Sequence, residues 1–187
     1  MPGKKQYEVL TLSELIKIIS SWVVDVILVI FLALALSFLF GSHVKMEGNS
    51  MTPTLESGDA LLINRTRGKL LPIRRFDIIA YQLSPQSPVA LKRVLALPGE
   101  RLLIREGQVY INGEALPENS YTSSLAYSGI AGEEIVLSGN DYFVIGENAD
   151  ASLDSRFPDV GNIRGEHILG IIWLRYAPFQ NLRLFFK

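Results

Sequence analysis

The sequence has no cysteine and only two histidines, His43 and His167, among its 187 residues. The missing cysteines exclude a disulfide framework, a thiol nucleophile and a cysteine-ligated metal. Two histidines so far apart argue against a histidine-rich zinc site. The sequence also lacks an excess of charge of one sign, because it has 18 Lys and Arg residues and 19 Asp and Glu residues. Nucleic-acid-binding domains usually carry a basic face, so no nucleic-acid partner is expected.

One long apolar run is present, from Trp22 to Phe40, and its single charge is Asp25, near the start. As a helix this run extends about 28 Å, close to the thickness of a bilayer core. It is apolar on all sides, unlike the helix of a soluble domain. The bulky residues 38–40 (FLF) stand where a cleaved signal peptide has small residues. We therefore expect an uncleaved, single-pass transmembrane signal anchor over residues 22–40.

Positive charge is distributed unequally around this run. Lys4, Lys5 and Lys17 precede it, and only Lys45 lies in the twenty residues that follow. The positive-inside rule predicts a cytoplasmic tail over residues 1–21 and a trans-side domain after it. A plasma membrane is the expected location, and a thylakoid or organelle membrane has the same sidedness. Residues 7–20 predict either an amphipathic helix at the membrane interface or an extension of the anchor helix.

From residue 41 to residue 187 the pattern becomes one of short apolar runs, often alternating, separated by Gly, Pro, Asn and Ser. Such a pattern predicts a mainly β, largely antiparallel domain built as a sandwich or barrel. Asn112-Gly113 is a hairpin signal. A small β insert over about 101–142 is expected beside a core of about 41–100 and 143–187, with a long surface loop at 117–132. The predicted strands are residues 44–46, 60–63, 76–82, 89–97, 101–104, 108–111, 134–137, 142–145 and 168–176.

Three segments carry chemical information: residues 47–55 (EGNSMTPTL), 91–100 (LKRVLALPGE) and 146–156 (GENADASLDSR). Each alone is compatible with an ordinary turn, strand or solvated loop. Together, in this order and after an apolar anchor, they resemble the type I signal peptidases, a family of serine–lysine peptidases. The Gly58-Asp59 pair matches as well, and the resemblance covers nearly the whole chain.

The resemblance implies that Ser50 is the nucleophile and Lys92 its base. A serine hydroxyl needs a neighbouring base, and a lysine can serve if burial lowers its pKa, ordinarily near 10.4. The apolar residues around Lys92, such as Leu91 and Val94, make that burial possible. The remaining residues implied by the resemblance are Ser152, which orients the lysine amine, and the supporting residues Asp154, Arg156 and Arg93.

The oxyanion hole departs from the pattern of some relatives. The resemblance implies the backbone N–H of Ser50 as one donor, but a hydroxyl that those relatives carry two residues earlier is missing at Gly48. Glu147 and Ala151 are milder departures, which affect the expected hydrogen bonding of the loop.

The resemblance also implies cleavage of signal peptides after small-x-small sequences, close to the lipid bilayer and without a metal or cofactor. Candidate pocket residues are Val44, Met46, Met51 and Leu91, beside which an extended peptide could add to a strand edge. Two alternatives stay open. One is a self-cleaving repressor, which normally has a DNA-binding domain in place of the anchor, and the other is a catalytically impaired, membrane-anchored β-domain with a binding or scaffold role.

Overall fold

The structure is a computed structural model that describes residues 11–40, 42–66, 71–117 and 125–185, without the side chains of residues 36–40. The chain divides into two compact units between residues 38 and 39, an N-terminal helical unit and a β-rich unit.

Helix α1, Leu12–Phe40, makes up nearly all of the described part of the N-terminal unit and ends two residues after it. Thr11 and Glu14 form a capping box at its start: the Glu14 carboxylate accepts hydrogen bonds from the Thr11 hydroxyl and the Thr11 backbone N–H. Residues 12–20 continue the same helix, which favours the extension over a separate interfacial helix; residues 7–10 lie outside the described residues. The part from Leu12 to Ala35 is long and apolar enough to cross a membrane.

The β-rich unit contains twelve strands among the described residues. They are β1 Ser42–Lys45, β2 Ala60–Asn64, β3 Ile78–Tyr81, β4 Ala90–Ala96, β5 Arg101–Arg105, β6 Gln108–Ile111, β7 Glu114–Ala115, β8 Ile135–Val136, β9 Asp141–Ile145, β10 Ile163–Arg164, β11 Ile168–Ala177 and β12 Arg183–Leu184. All nine predicted strands are present. The two-residue strands β7, β10 and β12 were not predicted, because so short a segment has no visible alternation.

The strands form two antiparallel sheets. The larger has the order β1-β2-β11-β3-β4-β9-β10, with β12 also paired to β11, and the smaller has the order β7-β6-β5-β8. This arrangement confirms the predicted mainly β, antiparallel fold. The smaller sheet lies within the expected insert, although the exact domain boundaries stay a prediction.

Two tight hairpins shape the smaller sheet. Glu106-Gly107 joins β5 to β6 and Asn112-Gly113 joins β6 to β7, and all four residues have positive φ between 52° and 87°. This is the backbone of a type I′ turn, as predicted for Asn112-Gly113.

The predicted surface loop at 117–132 is only partly described, since residues 118–124 lie outside the described residues. Its second half differs from the prediction. Leu125 and Ala131 are buried in the apolar core that the smaller sheet shares with Phe143 and Ile145. Two isolated apolar residues gave no periodic signal from which this burial could be predicted.

Candidate active site

Ser50 lies in a turn that leads from β1 to β2. The turn is closed at its base, where the Met46 N–H donates to the Asp59 carbonyl (2.8 Å) and the Gly58 N–H donates to the Met46 carbonyl (2.8 Å). Ser50 itself is half-buried, and its carbonyl accepts a hydrogen bond from the Asn148 N–H at 3.1 Å. The turn is therefore fixed both at its ends and at the serine.

Lys92 lies on β4 directly opposite Ile79 of β3. Only 5% of the residue is exposed, and its Nζ donates a hydrogen bond of 2.7 Å to Ser50 Oγ. No ion pair joins Lys92 to a carboxylate among the described residues. The structure thus brings the predicted nucleophile and base into direct contact, 42 residues apart in sequence.

The surroundings of Lys92 favour its neutral form. Burial lowers the pKa of Lys92 from 10.5 to about 8, the nearby charge of Asp154 acts in the opposite direction, and the charge of Arg156 adds to the lowering. The pKa of the buried Tyr81, on the neighbouring strand β3, shifts in the opposite direction: burial and the charge of Asp154 raise the pKa of its phenol to about 12. Near neutral pH, Lys92 is the group of the two that can exchange a proton.

Asp154 organises the loop that follows β9. Its carboxylate, which is fully buried, accepts hydrogen bonds from the Ser152 hydroxyl (2.7 Å) and the Gly146 N–H (2.9 Å). It also pairs with the Arg156 guanidinium, with Nε at 2.8 Å. The Asp154 carboxylate therefore already accepts hydrogen bonds from several donors and is not free to form a close ion pair with Lys92.

Arg156 connects the Asp154 carboxylate to two neighbouring segments of the chain. Only 1% exposed, it donates to the carbonyls of Ala149 (2.9 Å) and Tyr127 (3.2 Å). Its own carbonyl accepts a hydrogen bond from the Ile130 N–H at 2.9 Å. The described part of the 125–132 segment is thus attached to the loop that supports the lysine.

Gly146 is required by close packing beside the nucleophile. A Cβ at this position would lie 2.6 Å from the Ser50 carbonyl oxygen and would overlap the side chain of Ser152. Any other residue here would separate the serine turn from the supporting loop.

Arg93, next to Lys92 on β4, lies in different surroundings. Its guanidinium forms an ion pair with Glu147 and donates to the Phe76 carbonyl at 2.5 Å. Glu147 was noted in the sequence as a departure from the family pattern, and its partner was not foreseen. The spacing of 54 residues between the two gave no local signal.

The backbone N–H of Ser50 stays a predicted oxyanion donor. Among the described residues, the backbone N–H of Ser50 donates to no protein acceptor. Gly48 has a φ of 74° and open space around the position of a Cβ. The left-handed backbone, and not lack of room, is what favours glycine there.

Comparison with known proteins identifies the family. Residues 19–177 match the sequence model of the family described as signal peptidase, peptidase S26. The chain belongs to this signal peptidase family.

Signal peptidase I V of Bacillus subtilis (strain 168) is 35% identical over 140 residues, which are 68% of this chain and 81% of that protein. Signal peptidase I of Bacillus caldolyticus is 35% identical over 170 residues, which are 85% of this chain and 90% of that protein. A crystal structure of a signal peptidase I from Enterococcus faecalis has 29% sequence identity and a TM-score of 0.43, covering 54% of this chain and 96% of that one.

Membership of the signal peptidase family confirms the resemblance found in the sequence and gives the class of activity, a serine endopeptidase. With the apolar helix α1, it suggests a membrane-anchored enzyme. Among the described residues, no group of three or more His, Asp or Glu side chains could hold a metal ion.

The four predicted pocket residues of this signal peptidase lie in one apolar cluster. Met46, Met51 and Leu91 are buried, and the half-buried Val44 packs against them. Met51 has no exposed area in this structure, and Val44 is the most accessible of the four. Their role as a pocket stays a prediction.

Two further residues, one in the turn that carries Ser50 and one bound to it, had no predicted role. Arg175, on β11, is a buried arginine that pairs with Asp59 at 2.8 Å. The signal that could have identified it is an arginine within the apolar strand 168–177, because a buried guanidinium needs a partner.

Proposed function

We propose that this enzyme removes N-terminal signal peptides from exported preproteins, with Ser50 as nucleophile and Lys92 as general base. The observation that carries the mechanism is the hydrogen bond of 2.7 Å between Lys92 Nζ and Ser50 Oγ. The names of the matched relatives support the substrate, since both are signal peptidases I. The direct contact between the two side chains also disfavours a scaffold without activity.

The first step is acylation. Neutral Lys92 takes the proton of Ser50 Oγ as the oxygen attacks the carbonyl carbon of the scissile peptide bond. The carbonyl becomes an oxyanion, for which the N–H of Ser50 is a preorganised donor. When the C–N bond breaks, the Lys92 ammonium returns its proton to the leaving nitrogen, and the signal peptide stays on Ser50 as an ester.

The second step is hydrolysis of that ester. Lys92, neutral again, takes a proton from water as the water oxygen attacks the ester carbonyl, and it then returns the proton to Ser50 Oγ. The signal peptide leaves with a free carboxylate. The same lysine therefore serves as base and acid in both steps, and neither a metal nor a cofactor takes part.

Ser152 is proposed to orient the amine of Lys92. Its hydroxyl proton is committed to Asp154, with an O–O distance of 2.7 Å. The lone pairs of Ser152 Oγ therefore remain available to accept from Lys92. Asp154, Arg156 and Arg93 have the supporting role, since they hold the loop and the strand in place.

Substrate binding is proposed to occur at the edge strand β1. This strand lies at one end of the larger sheet, so one of its edges has no paired strand among the described residues. An extended peptide can add there by backbone hydrogen bonds. Val44 faces the apolar cluster while His43 and Lys45 face solvent, which suits a pocket for small apolar side chains in a small-x-small sequence.

The membrane topology is also a proposal. Residues 22–40 would span the bilayer once with the N-terminus in the cytoplasm, because the lysines precede the span. The β-rich unit would then act on the trans side of a plasma or thylakoid membrane, where signal peptides emerge.

The test is cleavage of a preprotein by the purified full-length protein in detergent. Ser50→Ala removes the attacking oxygen, and we expect no measurable cleavage at the signal junction in a gel assay. The matched control is Ser138→Ala, at an exposed turn serine, which should cleave at the parent rate. A second substrate with large residues in its small-x-small site should be left intact, and EDTA should not change the rate. Normal cleavage by Ser50→Ala would overturn the proposed mechanism.

A further inference from the structure

Arg175 is a buried arginine that takes no part in the contact between Ser50 and Lys92. It lies on β11, opposite Leu61 of β2 and Arg183 of β12, and it is 9% exposed. A guanidinium is kept in such a place only when its donors are satisfied. Its partners therefore indicate what it holds together.

Three partners, from two parts of the chain, surround this guanidinium. Nη1 donates to the Thr54 carbonyl (3.0 Å) and to Asp59 Oδ2 (2.8 Å). Nε donates to the Asn181 carbonyl (2.7 Å), in the short 3-10 helix after β11. Two of the three lie in the turn that carries Ser50, although both are more than a hundred residues away in sequence.

Asp59 connects Arg175 to the backbone of the turn. Its Oδ2 accepts the Glu56 N–H at 3.0 Å, and its backbone carbonyl accepts the Met46 N–H at 2.8 Å. Asp59 is only 2% exposed, and within the described residues Arg175 is the cation that pairs with its carboxylate. The pair thus joins the closing end of the turn to β11.

The Thr54 contact reaches the part of the turn next to the nucleophile. The Leu55 N–H donates to the Met51 carbonyl at 2.9 Å, and both side chains are fully buried. Ser50 directly precedes this buried unit. A shift of the Thr54 carbonyl would therefore move Ser50 relative to Lys92, which is fixed separately on β4.

From these contacts we propose that Arg175 and Asp59 are a positioning pair that holds the turn so that Ser50 Oγ stays within reach of Lys92. The inference rests on the proposed function, since it concerns the geometry of the same serine. Neither residue contacts the reacting atoms. Their effect is on how often the nucleophile is in the attacking position.

The shape of arginine explains why this residue type is needed. A planar guanidinium presents several N–H donors in fixed directions and can bind Thr54, Asp59 and Asn181 together. A lysine keeps the charge opposite Asp59 but has a single ammonium on a flexible chain. Arg175→Lys therefore keeps the positive charge and removes the fixed arrangement of the three hydrogen bonds.

The experiment measures preprotein cleavage by full-length Arg175→Lys and Asp59→Asn in detergent, with rates expressed per folded protein. We expect kcat to fall about tenfold in Arg175→Lys and somewhat less in Asp59→Asn, with KM changed little, because only the placement of the nucleophile is altered. The double variant should lose no more than Arg175→Lys alone. The control is Arg164→Lys, an exposed arginine 3.0 Å from Glu166, which should keep the parent kcat.

The pH profile separates positioning from general loosening of the domain. Lys92 is untouched, so the rising limb of kcat should keep its midpoint in both variants. If the domain merely loosened and water reached Lys92, the midpoint would move up towards the ordinary pKa of lysine. A shifted limb, or a kcat within twofold of the parent in both folded variants, would overturn the inference. Ser50→Ala in the same assay tests the proposed function itself, so the two can fail separately.

Discussion

Lys92 and Arg93 are neighbours on β4, but the two faces of the strand give them opposite surroundings. Arg93 has the Glu147 carboxylate and the Phe76 carbonyl as acceptors. Lys92 is more deeply buried than the half-buried Arg93, its hydrogen bond goes to the hydroxyl of Ser50, and the nearby Asp154 is engaged by Arg156. A cation that is paired with a carboxylate holds neighbouring segments together. A buried cation without such a partner has a lowered pKa and can act as a base.

The largest expected effect is on activity. Lys92→Met keeps the length and apolar stem of the side chain but removes the base, and kcat/KM should fall about a hundredfold to ten-thousandfold. Arg93→Met removes an ion pair away from the reacting atoms and should cost about tenfold or less. Preprotein cleavage by the two purified variants measures this contrast. Equal losses would mean that the two faces of β4 do not differ in function.

A smaller effect, of opposite sign in the two variants, is expected in stability. Arg93→Met loses charge-assisted hydrogen bonds to Glu147 and Phe76, and the free energy of unfolding should fall by about 1–3 kcal/mol. Lys92→Met removes a buried ammonium without an ion-pair partner among the described residues, so at pH 7 the free energy of unfolding should rise by about 1–3 kcal/mol.

The sign for Lys92 follows from its pKa. The folded-state pKa of about 8 lies below the ordinary 10.5. The cost of burying the ammonium is therefore fully present below pH 8 and is relieved as the pH rises towards 10.5. Urea unfolding at pH 7 and pH 10 should show the stabilisation by Lys92→Met shrinking at the higher pH. Destabilisation by Lys92→Met at pH 7 would contradict the assignment of a poorly paired buried cation.

The smallest expected effect is that of Arg93→Met on the midpoint of the pH profile, which in the parent enzyme depends on Lys92. Because Lys92 must be neutral to accept a proton and its pKa is about 8, kcat should rise about tenfold per pH unit below 8 and level off above it. Arg93→Met should keep this midpoint, because its partner lies on the other face of β4. Initial rates from pH 6 to pH 10 measure the limb, and a flat profile would exclude Lys92 as the base.

Several features were predictable because they depend on neighbours in sequence. The apolar run gives helix α1, alternation gives the longer strands, and Asn-Gly gives a hairpin turn. The strands β10 and β12 were not predictable, since two residues pair there only because β9 and β11 are already in place. The burial of Leu125 and Ala131 likewise depends on a core that other segments build.

The candidate site divides in the same way. The motifs identified Ser50, Lys92 and the loop with Ser152, Asp154 and Arg156, because each motif is a short run of residues. The partner of Arg93 and the contacts of Arg175 were not predictable. Arg93 and Glu147 lie 54 positions apart, and Arg175 lies more than a hundred positions from Asp59, so no local pattern records these two pairings.

The sequence by itself predicted the apolar helix, most of the strands along the chain and the candidate serine and lysine, because local composition and short motifs are sufficient for these. Only the tertiary structure decided that Lys92 lies 2.7 Å from Ser50 in buried surroundings and that Asp154 is occupied by other donors. The physical reason is that a pKa depends on desolvation and on nearby charges in space. Desolvation and nearby charges come from packing between distant segments, and they give Lys92 different surroundings from those of Arg93 beside it.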